Sequence, residues 1–471
     1  MKGILKYGVA LLFLLPALVR GQYISELFEY KPAPGQHINA APWGIPSSAA
    51  TIKGGVNGSL SLGAFGGYVV FGFDQPVENH PDNPYGIDFS IFGNPLNGLS
   101  EPAIVYVMKD ENQNGLPDDT WYELAGSDYS FSSSMRDYEV TYSNPGGSTA
   151  ADVPWSDQLG NTGFIFTNTN HTQAYYPLAD SFPSVHQNEY TLTGSYIRMP
   201  VDSSTSTFVK FPQRVFGYAD NQMRGSASYN IPDNPYTEEV EHSGCDAFDI
   251  GWAVDSAGNY VELDAIHFVK VQTAVMAHGG WLGEASTEIT GAVDVEPDNG
   301  ISGITKCLVI KDLPVKLTES THQLEVFAFD KGRLQPGQEI IWSVNMDEAG
   351  IDENHVLTVT ESGELEIAAA MADDPTITAT VTTTVDLSSA IELPFAVHHI
   401  LLWPNPAKDV IRISGCENAA IKMTGISGKV FYEGFSERKE KTIRIAHLPP
   451  GVYLVGIEQD GLYTFKKFIK Y

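Results

Sequence analysis

Gly66-Gly67-Tyr68-Val69-Val70-Phe71-Gly72-Phe73, preceded by Ser59-Leu60-Ser61-Leu62-Gly63, gives two apolar runs of period-two character joined by glycines. Successive side chains on a strand point to opposite faces, so a period of two bounded by glycine reads as strand, turn, strand. The same texture returns at Ile87-Asp88-Phe89-Ser90-Ile91-Phe92-Gly93, at Ala103-Ile104-Val105-Tyr106-Val107-Met108, and at Tyr138, Val140 and Tyr142. It continues at Gly163-Phe164-Ile165-Phe166, residues 190–197, Thr207-Phe208-Val209-Lys210-Phe211, Phe248-Asp249-Ile250-Gly251-Trp252-Ala253-Val254 and Ile266-His267-Phe268-Val269-Lys270-Val271. About ten short strands, long polar loops and no helical period predict an all-β chain whose large module, residues 59–296, is a jelly-roll-like β-sandwich. Residues 22–58, rich in Pro, Gly, Ala and Ser, read as an irregular segment before it.

The chain has 471 residues, too many for one ordinary core, and the length suggests about three domains. Gly and Pro together number 72 and charged residues are 18%, a balance that favours turn-rich β structure over helix or disorder. The formal net charge is −30, which denies a nucleic-acid role the basic footprint it needs. From residue 398 on, 11 Lys and Arg face 7 Asp and Glu, so the rest of the chain carries −34. An acidic body suits solubility and divalent cations. Met1-Lys2-Gly3-Ile4-Leu5-Lys6, an apolar run to Val19 and small Gly21 have the order of a secretory signal peptide over residues 1–21, with Gln22 the expected mature N-terminus. That run is too short for an ordinary membrane span, and no Cys lies near the cleavage point to take a lipid anchor. Three scattered cysteines, Cys245, Cys307 and Cys416, make neither a disulfide framework nor a metal box.

Past residue 306 the texture turns to Thr, Val, Ile and Glu. Glu339-Ile340-Ile341-Trp342-Ser343-Val344, Gly363-Glu364-Leu365-Glu366-Ile367 and Thr376-Ile377-Thr378-Ala379-Thr380-Val381-Thr382 resemble bacterial Ig-like group 2 modules, which implies an Ig-like spacer over residues 297–397 with Trp342 in its core. Upstream, Glu101-Pro102-Ala103-Ile104-Val105 through Ser127, together with residues 248–271, resemble a recurrent Bacteroidetes cell-surface module. That likeness implies an exported jelly-roll-like domain, some relatives of which belong to uptake loci, including ones for corrinoids. The last segment, residues 398–471, carries Pro404-Asn405-Pro406, a turn pair at Gly425 and Gly428 ahead of Val430, then Leu448-Pro449-Pro450-Gly451-Val452-Tyr453-Leu454-Val455 and a basic end at Lys466, Lys467 and Lys470. In that order these motifs resemble the type A C-terminal sorting domain of the Bacteroidetes type IX secretion system. The resemblance implies partners in the outer-membrane export machinery and its sorting peptidase, and makes everything upstream cargo.

Asp110-Glu111-Asn112-Gln113-Asn114-Gly115-Leu116-Pro117-Asp118-Asp119 lies between two predicted strands. Calcium takes six to eight hard oxygens around a tight loop, and Asp110, Asn112, Asn114 and Asp118 sit at the first, third, fifth and ninth places, with Gly115 at the sixth and the Leu116 carbonyl at the seventh. The twelfth place is Trp121 where an EF-hand has a bidentate Glu, so Asp119 or Glu123 would have to complete a structural Ca2+ site. The competing reading is a long turn of Asx residues. Among the aromatics, Trp155, Tyr175, Tyr176 and Trp281 fall in predicted loops where flat rings could stack on a sugar or another planar ligand, although sandwich cores also need such rings. Serine-nucleophile and phosphate-loop motifs are absent, histidines show no ligand spacing, and no catalytic constellation emerges. The expectation is a non-enzymatic exported protein whose sandwich binds an extracellular glycan, small molecule such as a corrinoid, or surface protein. A secreted carbohydrate-active hydrolase and a structural or adhesion component are the alternatives.

Overall fold

Strand Tyr68–Glu78 lies inside an antiparallel six-stranded sheet in the order Ile24–Lys31, Tyr68–Glu78, Ala265–Thr273, Ala103–Met108, Trp121–Leu124, Ala253–Val254. Val69, Val70 and Phe71 are all buried, as expected of a strand covered on both faces. Its Pro76 falls where the pairing with Ala265–Thr273 jumps from Val77↔Ile266 to Gly72↔Phe268, a bulge that needs no N–H from proline. A three-stranded sheet, Asp246–Phe248, Phe89–Phe92, Gly291–Asp294, and the pair Leu60–Ser61 with Glu288–Ile289 supply further strands, and the main core gathers Phe71, Phe89, Phe248 and Trp252. A four-stranded sheet, Glu189–Tyr196, Met135–Ser143, Val153–Asp157, Thr162–Ile165, encloses a second, tyrosine-rich core.

This computed structural model describes residues 23–80, 86–96, 98–201, 209–222, 245–295, 305–387, 400–425, 429–459 and 462–471. The expected signal peptide, Gly428 and residues 207 and 208 of one expected strand lie outside them. Strand accounts for 47% of the structure and helix for 4%, so the fold is a multi-domain all-β assembly of sandwiches. Among the described residues no helix is long and apolar enough to cross a membrane.

Two compact units divide the chain, residues 1–386 and 387–471. Within the first, Cys307, Val309 and Phe329 of the Ig-like strands join the main core of the large sandwich, and Phe216 meets Phe329 edge-on at 5.1 Å. Trp252 Nε1 donates to the Lys331 carbonyl at 3.0 Å and Arg333 Nε to the Gly251 carbonyl at 2.7 Å. Strand Gly363–Met371 shows why the Ig-like part is legible: Leu365, Ile367, Ala369 and Met371 are buried while Glu364 and Glu366 are exposed. Trp342 is only half-buried, packed on the edge of that core.

Two expectations need correction. Ile24–Lys31, within the stretch read as irregular, is an edge strand of the main sheet; register shifts after Ile24 and Leu27 break the period-two alternation that would reveal it. Residues 248–254 are not one strand. Asp249 accepts from the Gly251 amide at 2.6 Å and closes a 3-10 turn, Ile250–Trp252, between Asp246–Phe248 and Ala253–Val254.

Candidate functional site

Strand Glu288–Ile289 and the segment before it place Glu284, Ser286 and Glu288 against Glu101, which precedes Ala103–Met108, and Asp220, which follows Tyr218. Oxygens of Glu101, Asp220 and Glu288 all lie within 4.8 Å of one another. Asp220 accepts from the amides of Asn94 and Glu288, each at 2.8 Å. Glu101 accepts from the Ser286 amide at 2.9 Å, and Glu288 from the Ser286 hydroxyl at 3.0 Å. Glu284 accepts from the Gln36 amide at 2.6 Å through Oε1, while its buried Oε2 has no partner. Glu101, Glu284, Ser286 and Glu288 line a cavity of about 160 Å³ walled also by Gln36, His37, Leu96, Leu99 and Phe211. Glycines make room for it: a Cβ on Gly93 would stand 2.1 Å from Asp220 Oδ1, and one on Gly35 2.6 Å from Glu284 Oε1.

Asp220, Glu284 and Glu288 are buried, Glu101 keeps a partly exposed edge, and none of the ion pairs among the described residues reaches any of the four. Two full charges at that spacing repel by about 3.5 kcal/mol at an effective dielectric of about 20, so protons or a cation must stand between them. Burial pushes Glu284 up to about 8 and Glu288 up to about 8. Burial and the charges of Glu288 and Asp220 push Glu101 well above the usual carboxyl range, and burial and Glu288 do the same to Asp220. This cluster went unseen in the sequence.

The raised acids set a stability prediction. Between the ordinary glutamate value of 4.5 and about 8, folded Glu284 and Glu288 hold protons that the unfolded chain has released, so stability falls as pH rises through that window. Burial lowers His37 to about 4, which acts in the opposite sense up to its ordinary 6.5, and Lys270, lowered to about 8 by burial, opposes above 8. In chelator the unfolding free energy read by urea titration, and its midpoint with it, should therefore drop between pH 6.5 and 8, the free energy by up to about 1.4 kcal/mol per pH unit for each proton. A flat or rising midpoint there contradicts the arrangement.

The loop from Asp110 to Asp119 joins Ala103–Met108 to Trp121–Leu124 and is open to solvent. Asp110 accepts from the amides of Asn114 at 3.1 Å and Gly115 at 2.9 Å; Asn112 and Asn114 direct their side-chain amides at Asp118, at 3.1 and 3.0 Å. Asp119 accepts from the Glu111 amide at 2.9 Å, and the Leu116 carbonyl takes the Asp118 amide at 2.9 Å. Gln113 and Gly115 both have positive φ, at 58° and 73°, which gives the loop its tight turn. Asp110, Asn112, Asn114, Asp118 and Asp119 are thus brought together. Glu123 is not: its carboxylate is held by the Ser195 hydroxyl within the sheet, and burial pushes it up to about 7.

Two of the aromatic candidates are core residues. Tyr175 and Tyr176 are each 1% exposed and belong to the second core, so neither ring can stack on an outside ligand. The irregular segment carrying them folds inward because their hydroxyls find partners, Tyr176 donating to the His186 carbonyl at 2.6 Å and Tyr175 accepting from the Asn168 amide at 3.2 Å. Trp155 is half-buried and lies over Gly163 of the neighbouring strand, where a Cβ would come within 2.5 Å of its ring. Trp281 sits in the short 3-10 turn Gly280–Leu282, and its side chain is outside the described ones. A roomier concavity lies elsewhere, a groove of about 600 Å³ where the large sandwich meets the Ig-like strands, with Arg198, Lys311, His322, Glu319 and Glu325 on its walls and Phe131 among them.

In the second unit, strands Leu401–Trp403, Val410–Ser414, Glu440–Arg444 face Val430–Ser436, Ala419–Gly425, Gly451–Gln459, Leu462–Lys470 over a separate core. Pro404 and Pro406 have no N–H to offer, and Asn405 between them does the pairing. Its side chain donates to the Lys467 carbonyl at 3.1 Å and accepts from the Ile469 amide at 2.9 Å, and Ala407 continues onto the same strand. Tyr453 stacks on Phe468 at 5.3 Å and donates to the Pro449 carbonyl at 2.8 Å, which ties the Leu-Pro-Pro-Gly turn to the core. A Cβ on Gly425 would touch the Phe431 ring at 3.0 Å. Gly451 opens its strand, Lys466 is half-buried and Lys467 exposed.

Residues 401–471 match the family model of the secretion system C-terminal sorting domain. Nothing matches among curated proteins. Solved structures with some likeness include PorZ, a surface component of the type IX secretion system of Porphyromonas gingivalis, at 16% identity over 32% of this chain and 20% of that one, TM-score 0.15. The chain thus spans about a fifth of that protein's length. The Escherichia coli adhesin FdeC matches at 12% over 44% and 78%, TM-score 0.17, and the Yersinia pseudotuberculosis adhesin InvE at 11% over 35% and 58%, TM-score 0.13. Likenesses this loose say nothing of what the chain binds. The motif residues and the family match converge on one segment: the chain ends in a type IX secretion C-terminal sorting domain, which engages that secretion machinery and directs the protein to the cell surface or the extracellular space.

Proposed function

We propose that the exported protein is a non-enzymatic binding protein that takes a polar extracellular ligand, a glycan fragment or small molecule, in the groove between its large sandwich and its Ig-like strands. The observation that carries this reading is the groove itself: about 600 Å³, within the range of small-ligand sites and at a junction between modules, where such sites concentrate. Arg198 is exposed on its wall and enters none of the ion pairs among the described residues, while Lys311, paired with Glu325, lines the same groove, so sugar hydroxyls or an acidic group would meet a cationic donor at Arg198. The sorting peptidase would then remove the tail. A structural Ca2+ held by Asp110, Asn112, Asn114, Asp118 and Asp119, with the Leu116 carbonyl, would stiffen the loop between two strands of the main sheet, the two asparagine side chains turning their oxygens inward.

The carboxyl cluster gives a hydrolase its one supporting observation, since raised acids in a cavity mark many catalytic sites. Size favours the binding reading. A cavity of about 160 Å³ is smaller than ligand sites of about 300 Å³ and above, and oxygens within 4.8 Å are closer than the about 5–5.5 Å of retaining glycosidases. Titrating the mature chain with a panel of neutral and acidic oligosaccharides should give binding that Arg198→Ala weakens about tenfold, near 1.4 kcal/mol. Affinity unchanged in Arg198→Ala and in Lys311→Ala would remove the groove as the site.

A further inference from the structure

We propose that Glu101, Asp220, Glu284 and Glu288 form a binding site for a hard divalent cation, Ca2+ in the first place, distinct from the exposed loop at Asp110. Oxygens coordinating one calcium ion at roughly 2.4 Å lie within about 4.8 Å of each other, and those of Glu101, Asp220 and Glu288 meet that limit without rearrangement. The independent sign is Glu284. It is 3% exposed, it lines the same cavity, and its Oε2 has no hydrogen-bond partner. A buried carboxylate oxygen left bare is costly unless something fills the place before it. Gly35 and Gly93 keep open the space that side chains would otherwise take.

The donor set is oxygen only. Carboxylates and the Ser286 hydroxyl suit calcium or magnesium and not zinc or copper, which favour nitrogen and sulfur. Calcium fits better than magnesium because magnesium is usually held by one or two carboxylates and keeps several waters, whereas here three carboxyl groups already converge and a fourth lines the same cavity. His37, on the cavity wall, packs edge-on against His171 at 4.9 Å. Sequence distance hides the site, since its carboxylates come from segments around residues 101, 220 and 284–288 and share no local motif.

A cation entering this pocket must displace the protons that burial holds on its carboxyls, whereas the open loop at Asp110 has no such burial. The test uses the full mature chain, stripped with chelator and titrated with Ca2+ alone by calorimetry in two buffers of different ionisation enthalpy, with Mg2+ as a second arm. The double variant Asp110→Asn/Asp118→Asn should still bind one Ca2+ at neutral pH with proton release, and more tightly than Mg2+. Glu288→Gln and Asp220→Asn, each checked for a native near-ultraviolet spectrum, should weaken that event at least tenfold. The site is overturned if the loop double variant binds no Ca2+, if it binds without releasing protons, or if folded Glu288→Gln and Asp220→Asn bind as the parent does. The loop variant needs no change in the pocket, so its result stands even where the pocket variants fail to fold. Ligand binding in the groove is not involved, and either result leaves that reading untouched.

Discussion

Deleting residues 387–471 is expected to abolish export while leaving residues 23–386 folded. The sorting domain has its own core, in which Ile411, Ile413, Ile421, Met423, Tyr453, Val455, Ile457 and Phe468 are each less than 5% exposed, and the upstream unit has cores of its own. Removing one compact unit therefore takes away the export signal without opening the other. In a host with the type IX machinery the shortened chain should be stranded inside the outer membrane, and surface proteolysis or analysis of the medium should find none of it. A subtler change follows from Asn405, whose side chain is tied to the last strand on both sides of Phe468. Asn405→Ala removes two hydrogen bonds at an exposed edge, a loss of about 1–3 kcal/mol that loosens the final strand without touching the core. Export of the deleted chain at the full-length level would show that the tail is not the address.

What the sequence discloses and what it hides follow from one physical difference. A strand with one face in a core writes its period into the chain, which is why Gly363–Met371, Gly451–Gln459 and Ala103–Met108 are legible. Where the backbone slips register the period is lost, and Ile24–Lys31, with two shifts in eight residues, disappears into a polar segment. Sorting motifs are legible for another reason, since Pro404-Asn405-Pro406 and Gly425 answer local needs of pairing and close approach. Direction is harder to read than period. Tyr175 and Tyr176 lie in an irregular stretch and look like loop residues, yet a core that also buries Tyr138, Tyr142 and Tyr190 draws them in. Long-range assembly is hardest: Glu101 and Glu288 share a cavity although they are far apart in the chain, while the Asp110 loop, whose oxygens are all local, is visible at once. Glu284, Ser286 and Glu288 within five residues of one another beside a short strand were the one local sign available.

Arg214→Met is expected to cost about 3–5 kcal/mol, one of the larger single-residue losses in the protein. Arg214 is 6% exposed; its Nη1 donates to Asp128 Oδ2 at 2.8 Å and to Asp312, so one guanidinium joins the segment after Trp121–Leu124 to the start of the Ig-like strands. Burial works against its charge, and the two carboxylates more than offset that, holding it protonated. On Asp312 burial acts first and raises the acid, with Arg214 opposing. Removing the arginine leaves Asp128, whose side chain is 9% exposed, with a hydroxyl contact from Ser127 at 2.7 Å but no cation. An uncompensated buried charge costs more than the pair contributes, so the sign of the effect does not depend on how much the intact pair stabilises. Arg214→Lys keeps the charge and one nitrogen able to face both carboxylates, but loses the Nη2 bond to the Pro212 carbonyl, and should lie between the parent and Arg214→Met. The triple change Arg214→Met, Asp128→Leu, Asp312→Leu removes all three charges together and should regain most of the loss. Urea unfolding reads each step, and because Cys307, Val309 and Phe329 share the main core, the midpoint of one cooperative transition should move. A loss under about 1 kcal/mol for Arg214→Met would mean that water reaches the pair and that the junction is held by Phe216, Phe329 and Trp252 instead.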